Sequence, residues 1–148
     1  MYYLTTLGYG YNKLLCEDVV DWYVSKFLPR HKLFIDVIHR GMKREESYGY
    51  CDYACDANPY KPREFEIEIQ THLHKELYIK TLLHELVHLK QWVQGTLKMR
   101  AGKLIFQGEK MDQYEYMEQP HEIEAFGSEN KLYLDYMFDS TGDWLGDE

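Results

Sequence analysis

Residues 81–92 read TLLHELVHLKQW. This stretch constrains the fold more than any other, because an apolar helical segment here carries two imidazoles and a carboxylate. At 100° per residue, His84 and His88 lie about 40° apart on one helix face, one turn above the other. Glu85 is rotated about 100° from His84. Ile79, Leu82, Leu86, Leu89 and Val93 form a stripe on the opposite side. The spacing therefore predicts a helix from about Lys75 to Gln94 that packs on the core through one face and presents its imidazoles from the other. Gly95 is its predicted C-cap.

Two histidines one turn apart can reach a single ion. Zinc takes imidazole nitrogen at about 2.0–2.1 Å, and a catalytic site uses three protein ligands and leaves a fourth position for water. The pattern H-E-x-x-H thus makes His84 and His88 candidate zinc ligands and Glu85, beside the ion, the candidate general base for that water. With 7 histidines in 148 residues, composition alone produces the pattern about 0.03 times per chain, so accident is a poor explanation. The competing reading is an amphipathic surface helix, and a third ligand decides between them.

The third ligand is sought in EQPHEIEAFGSENKLY, where Pro120 opens a helix predicted to run through about Phe138. Ala125, Phe126, Tyr133, Tyr136 and Met137 all fall within about 60° of Glu122, which therefore points along the apolar face. Glu124 lies about 200° away with Gly127 and Lys131, on the polar face. A carboxylate on a buried face must be neutralised, paired or metal-bound. Glu122 is the candidate ligand and Glu124 is expected to be solvated; pairing of Glu122 with a basic residue at the core rim is the alternative.

Around this pair of helices the sequence predicts an α+β domain. NKLLCEDVVDWYVSKFL, residues 12–28, places Leu15, Val19, Trp22, Tyr23 and Phe27 on a helical stripe that Pro29 stops. HKLFIDVIHR reads as a strand, and YGYCDYAC as its hairpin partner across GMKREES. REFEIEIQ, residues 63–70, alternates Phe65, Ile67 and Ile69 against Glu64, Glu66, Glu68 and Gln70. TLKMRAGKLIFQGEKMD reads as a hairpin or an irregular insert, and EKMDQYEYMEQ either covers a cleft or is a solvated connection. The expected order is helix, three strands, helix, hairpin, helix, in one domain over residues 1–148 with an N-terminal helix and a small mixed sheet. Cys51 and Cys55 with His72 and His74 sketch a second metal site, but the spacing is looser than C-x2-C and favours packing. His31 and His39 read as surface or packing residues.

Composition narrows the partners. A formal charge of −8, with scattered basic residues, disfavours nucleic acid, which requires lysine and arginine to displace counterions. No apolar run approaches the roughly 20 residues of a membrane span, and MYYLTTLGYGYN lacks the basic and apolar regions of a secretory signal. Three cysteines do not form a disulfide framework. A cytoplasmic protein with reduced thiols is expected; the oligomeric state is not encoded in any of these features.

HELVH followed by HEIEAF, whose Glu122 lies 34 residues after His88, resembles the gluzincin group of H-E-x-x-H zinc metallopeptidases. In that group a downstream helix supplies a glutamate ligand in an E-x-x-A-[DN] setting, and Glu122 and Ala125 match it. Phe126 stands where an aspartate or asparagine usually supports a histidine. The layout is also similar to minimal gluzincins and SprT-like proteins, although the third histidine typical of the latter has no counterpart. The resemblance implies a zincin-like fold, a zinc cofactor and peptide-bond hydrolysis of a peptide or protein substrate, with Glu85 as base. It also implies that the strand Glu64–Gln70 is the edge along which an extended substrate lies, and that a group such as Tyr114, Tyr116, His121 or Tyr133 stabilises the oxyanion. Two other readings are kept: a non-catalytic zinc-stabilised peptide-binding domain, and a zinc amidohydrolase acting on a non-peptide amide.

Overall fold

The computed structural model describes residues 1–42, 47–54, 58 and 61–140. Its first element is a strand, β1 (Tyr2–Gly8), which precedes the predicted N-terminal helix. The inward residues Tyr2, Leu4 and Thr6 alternate with exposed ones, but Tyr3 and Leu7 are apolar too, and this blurs the period-2 signal. Helix α1 (Lys13–Phe27) follows as predicted, with the Asn12 side chain accepting from the Leu15 N–H at its N-terminus. It leads into β2 (Leu33–Arg40), which pairs parallel to β1. A crossover helix is the usual means of joining parallel neighbours.

The expected β2–β3 hairpin does not form. β3 (Gly49–Tyr53) pairs antiparallel with β4 (Glu64–Gln70), and β4 pairs parallel with β2, giving the order β1-β2-β4-β3. The physical reason lies in the inward faces: Ile35, Val37 and His39 of β2 sit beside Phe65, Ile67 and Ile69 of β4, continuing the apolar rows across the middle of the sheet. The half-exposed β3 is left at the edge. β4 is therefore an inner strand with both sides paired, and it is not the edge along which a substrate could lie; that position belongs to β3. Most of GMKREES, and Cys55 with most of DANPYKP, lie outside the described residues.

Helix α2 (Lys75–Gln94) ends at Gly95, whose φ of 77° is the left-handed cap conformation. It is buried on nearly all sides, between the sheet and helix α3 (Pro120–Asp139). The predicted stripe of Ile79, Leu82, Leu86, Leu89 and Val93 lies in the core. Between these helices the chain forms a small antiparallel meander, β5 (Leu97–Arg100), β6 (Lys103–Phe106) and β7 (Glu109–Lys110). Ala101 and Gly102, at φ 51° and 77°, make its first turn, the two positive-φ positions that a tight two-residue hairpin demands. Two short 3-10 turns, Met111–Gln113 and Tyr116–Glu118, lead to α3. The described residues form an α+β domain with three α-helices, one mixed sheet and one antiparallel sheet, and none of the described helices is long and apolar enough to cross a membrane.

Candidate metal centre

The two histidines of α2 face the first turn of α3, where Glu122 is the third helical residue after Pro120 at the N-terminus. A carboxylate there meets the positive end of the helix dipole. His84 Nε2 and His88 Nε2 lie 3.1 Å and 3.0 Å from Glu122 Oε1, and 3.2 Å from each other. Three donors at a zinc–ligand distance of about 2.0–2.1 Å in tetrahedral array stand about 3.3 Å apart, so the triangle has nearly the size a zinc ion needs. Among the described residues this is the cluster of three groups that could share a metal ion.

The outer hydrogen bonds fix where the imidazole protons sit. His84 Nδ1 is 2.8 Å from Glu129 Oε1, and a carboxylate only accepts, so the nitrogen donates. His88 Nδ1 is 2.8 Å from Gln91 Oε1. The amide orientation follows from its other end: Gln91 Nε2 donates to the His121 carbonyl at 3.1 Å and to Glu124 Oε1 at 2.9 Å. With a proton on each Nδ1, the two Nε2 atoms converge on each other and on the anionic Glu122 oxygen, and without a metal ion a proton on Nε2 bridges that contact. A metal ion would take the place of that proton, and the three donors fit zinc in type and distance.

Glu129 and Gln91 were not read as site residues from the sequence. Glu129 lies seven residues beyond Glu122, hence within about 20° of it on the helix, and Gln91 lies three beyond His88; same-face spacing was the available signal. Glu129 supplies the carboxylate for which Phe126 has no equivalent, while the Phe126 ring packs 4.4 Å from the His84 ring. Glu124, expected to be solvated, is exposed but also anchors Gln91.

Electrostatics follow from this packing. Burial pushes the His84 pKa down, but the Glu122 and Glu129 hydrogen bonds outweigh it and lift it to about 9. His88 is raised by the same balance, burial against Glu122. For Glu122, burial acts upward and the two histidine contacts win, bringing it down to about 2. Glu85 is only 4% exposed; burial lifts it to about 7 against the lowering influence of His88 and His84. It is thus poised near neutrality, as a proton-transfer group requires.

Glu85 and His88 open onto a cleft of about 360 Å³ between β3, α2, the β5–β6 hairpin and the start of α3. The hydrogen-bonded pairs of β3 and β4 include Tyr48 with Gln70 and Ala54 with Glu64. By alternation Tyr50 and Asp52 also bond to β4, so Gly49, Cys51 and Tyr53 turn their N–H and C=O groups to the outer edge, where Ser47 Oγ engages both groups of Gly49 and Asp52 Oδ1 accepts from the Tyr53 N–H. A side chain at Gly49 would place its Cβ 3.1 Å from Glu85 Oε2, which is why this end of the strand carries none. Of the four groups considered for the oxyanion, Tyr116 and His121 line the cleft. Burial, then the charges of Glu122 and Glu85, raise the Tyr116 pKa, so its hydroxyl stays protonated. His121 is buried with Nδ1 lacking a hydrogen-bond partner, and burial brings its pKa down to about 4. Tyr114 donates instead to Glu109, and Tyr133 lies beneath the Lys80 ammonium. The segment before α3 is therefore cleft-lining at Tyr116 and Gln119.

Of the other sketched site, Cys55 lies outside the described residues, and among the described ones His74 caps α2 by accepting from the Leu77 N–H while His72 lies at the Tyr9 ring. No family model, curated protein or solved structure matches this chain.

Proposed function

We propose that the protein is a zinc metallopeptidase of zincin shape in which His84, His88 and Glu122 hold the ion and Glu85 is the general base. The observation that carries this reading is the convergence of His84 Nε2, His88 Nε2 and Glu122 Oε1 within 3.2 Å of one another, with both Nδ1 atoms hydrogen-bonded outward to Glu129 and Gln91. A bound zinc ion supplies Lewis acidity, bringing the pKa of water toward about 7 and polarising a carbonyl.

Glu85 would take the proton of the attacking water and pass it to the leaving amine; it is buried in the lining of the cleft beside the three clustered groups, within reach of both transfers. Glu129 and Gln91 hold the imidazoles in the ligating tautomer. Tyr116 presents a protonated hydroxyl to the cleft and is the better-suited donor to the developing oxyanion, since a neutral His121 donates from only one nitrogen. The outer edge of β3 offers the N–H and C=O of Cys51 and the C=O of Tyr53 to an extended peptide, which would displace the Ser47 and Asp52 side chains to pair further. The reading agrees with the resemblance of HELVH and HEIEAF to gluzincins, with Glu129 taking over the supporting role from the residue after Ala125.

The test is cleavage of a mixed peptide library by zinc-loaded wild type and by Glu85→Gln, followed by mass spectrometry. The expected result is wild-type cleavage reduced by at least about 10³-fold in Glu85→Gln with zinc content unchanged. Equal cleavage by both proteins removes the base assignment. Zinc retained with no wild-type cleavage favours the non-catalytic, metal-stabilised alternative.

A further inference from the structure

One wall of the cleft is not explained by metal binding or by proton transfer. One turn beyond His88 on the same helix face stands Trp92, with the Tyr53 ring edge-on to it at 5.1 Å. Leu97 of β5 closes the floor, and Met99 and Leu104, a cross-strand pair of the β5–β6 hairpin, form the side. Tyr53, Met99 and Leu104 are only half-buried, so they leave apolar surface facing open space beside the ion position. The charged side chains among the described lining residues are Asp52, Glu85 and Glu122, with no lysine or arginine. At about 360 Å³ the whole cleft is at the small end of ligand sites, which span roughly 300–1,000 Å³.

We propose that this wall is a specificity pocket for one large uncharged side chain, aliphatic or aromatic, of an extended peptide lying on β3 next to the metal centre. Apolar burial against Trp92, Leu97, Met99 and Leu104 favours such a side chain, a lysine or arginine would lose its hydration there, and an aspartate or glutamate would lose its own with no lysine or arginine on the wall to pair with. The position is set by Trp92 and by a hairpin that follows the metal-binding helix, so the pocket lies on the His88 side of the centre. The identification of the ligand as a peptide rests on the peptidase reading; the shape and polarity of the pocket do not.

Binding tests it separately from turnover. Zinc-loaded Glu85→Gln protein, full length, is titrated against three fluorescein-labelled Ser/Thr-rich decapeptides that differ only in a central Leu, Lys or Glu, and anisotropy is read. A lone bulky residue selects its own register on the strand. The expected result is at least ~10-fold tighter binding of the Leu peptide than of either charged one. Adding Leu104→Lys, or Met99→Lys should the first substitution disturb the far-ultraviolet circular dichroism, is expected to abolish that preference and shift it toward the Glu peptide. Equal binding of the three peptides, no measurable binding of any of them, or a preference that survives both lysine substitutions overturns the proposal. A retained Leu preference with no peptide cleavage by wild type overturns the peptidase reading and leaves the pocket standing.

Discussion

Two groups of buried histidines in this molecule differ in how they use their nitrogens. His39, at the end of β2, donates from Nδ1 to the Leu7 carbonyl at 3.0 Å and accepts from the Tyr78 hydroxyl at Nε2, 2.8 Å away. The Tyr11 ring stacks on it with centroids 3.5 Å apart, and Tyr78 is in turn hydrogen-bonded to the Cys16 thiol. Every polar atom of that imidazole has a partner within the protein. His84 and His88 bond outward through Nδ1 and turn both Nε2 atoms toward each other and toward the single oxygen Glu122 Oε1. Burial alone therefore does not separate the two groups; convergence of several ligand-type atoms on one point does.

The sharpest way to break this comparison is to truncate one histidine from each group. His88→Ala is expected to take zinc from about one per chain to near zero, whereas His39→Ala keeps the zinc and costs about 2–4 kcal/mol of stability through a cavity and two lost hydrogen bonds. Elemental analysis and urea melts of the two variants check this, and loss of zinc in His39→Ala would dissolve the distinction. Next in size are the outer partners. Glu129→Ala and Gln91→Ala should each weaken zinc binding about 10–100-fold, read by competition with a chelator of known affinity. Unchanged affinity in both would mean that the tautomers are not fixed from outside.

Smaller effects come with pH. In chelator-treated protein the His84 pKa is raised from 6.5 to about 9, so its contribution to stability is full below about pH 6.5 and is lost as pH climbs toward 9. His39 has the opposite sign: burial lowers its pKa, and its contribution is lost as pH falls below about 6.5. Removing His39 with His39→Phe should thus make the acid side of the melting-temperature profile shallower, the fall due to His121 and Glu122 remaining, and adding zinc should reverse the slope on the alkaline side. The reversal follows because both ligating imidazoles must be deprotonated. An alkaline side unaltered by zinc would count against ligation.

What the sequence disclosed was local. The bounds of α2, its Gly95 cap, and the placement of Glu122 on a buried helix face with Glu124 exposed all rest on relations within about a turn or two of helix, where 3.6-residue periodicity is direct evidence. What it hid was long-range. Nothing near β3 states that its partner is β4 instead of β2, since both pairings bury the same side of each strand, and pairing between strands depends on rows assembled from distant segments. β1 was obscured because Tyr3 and Leu7 put apolar groups on its exposed face. The mistaken assignment of Glu64–Gln70 to a substrate edge has the same origin, because a period-2 strand looks identical at the centre and at the rim of a sheet. Glu129 and Gln91 fall between: their helix faces were legible, but choosing them from the chain's many polar residues required the distance to a histidine.

The central claim is that the Nε2 atoms of His84 and His88 and the carboxylate of Glu122 hold one ion. Mass spectrometric metal analysis of protein purified without added metal, for wild type, Glu122→Ala and Glu124→Ala, addresses it most directly. The account predicts about one zinc per chain in wild type and Glu124→Ala and almost none in Glu122→Ala. A wild type that takes up no zinc even when it is supplied, or a Glu122→Ala variant that keeps its full complement, would contradict it.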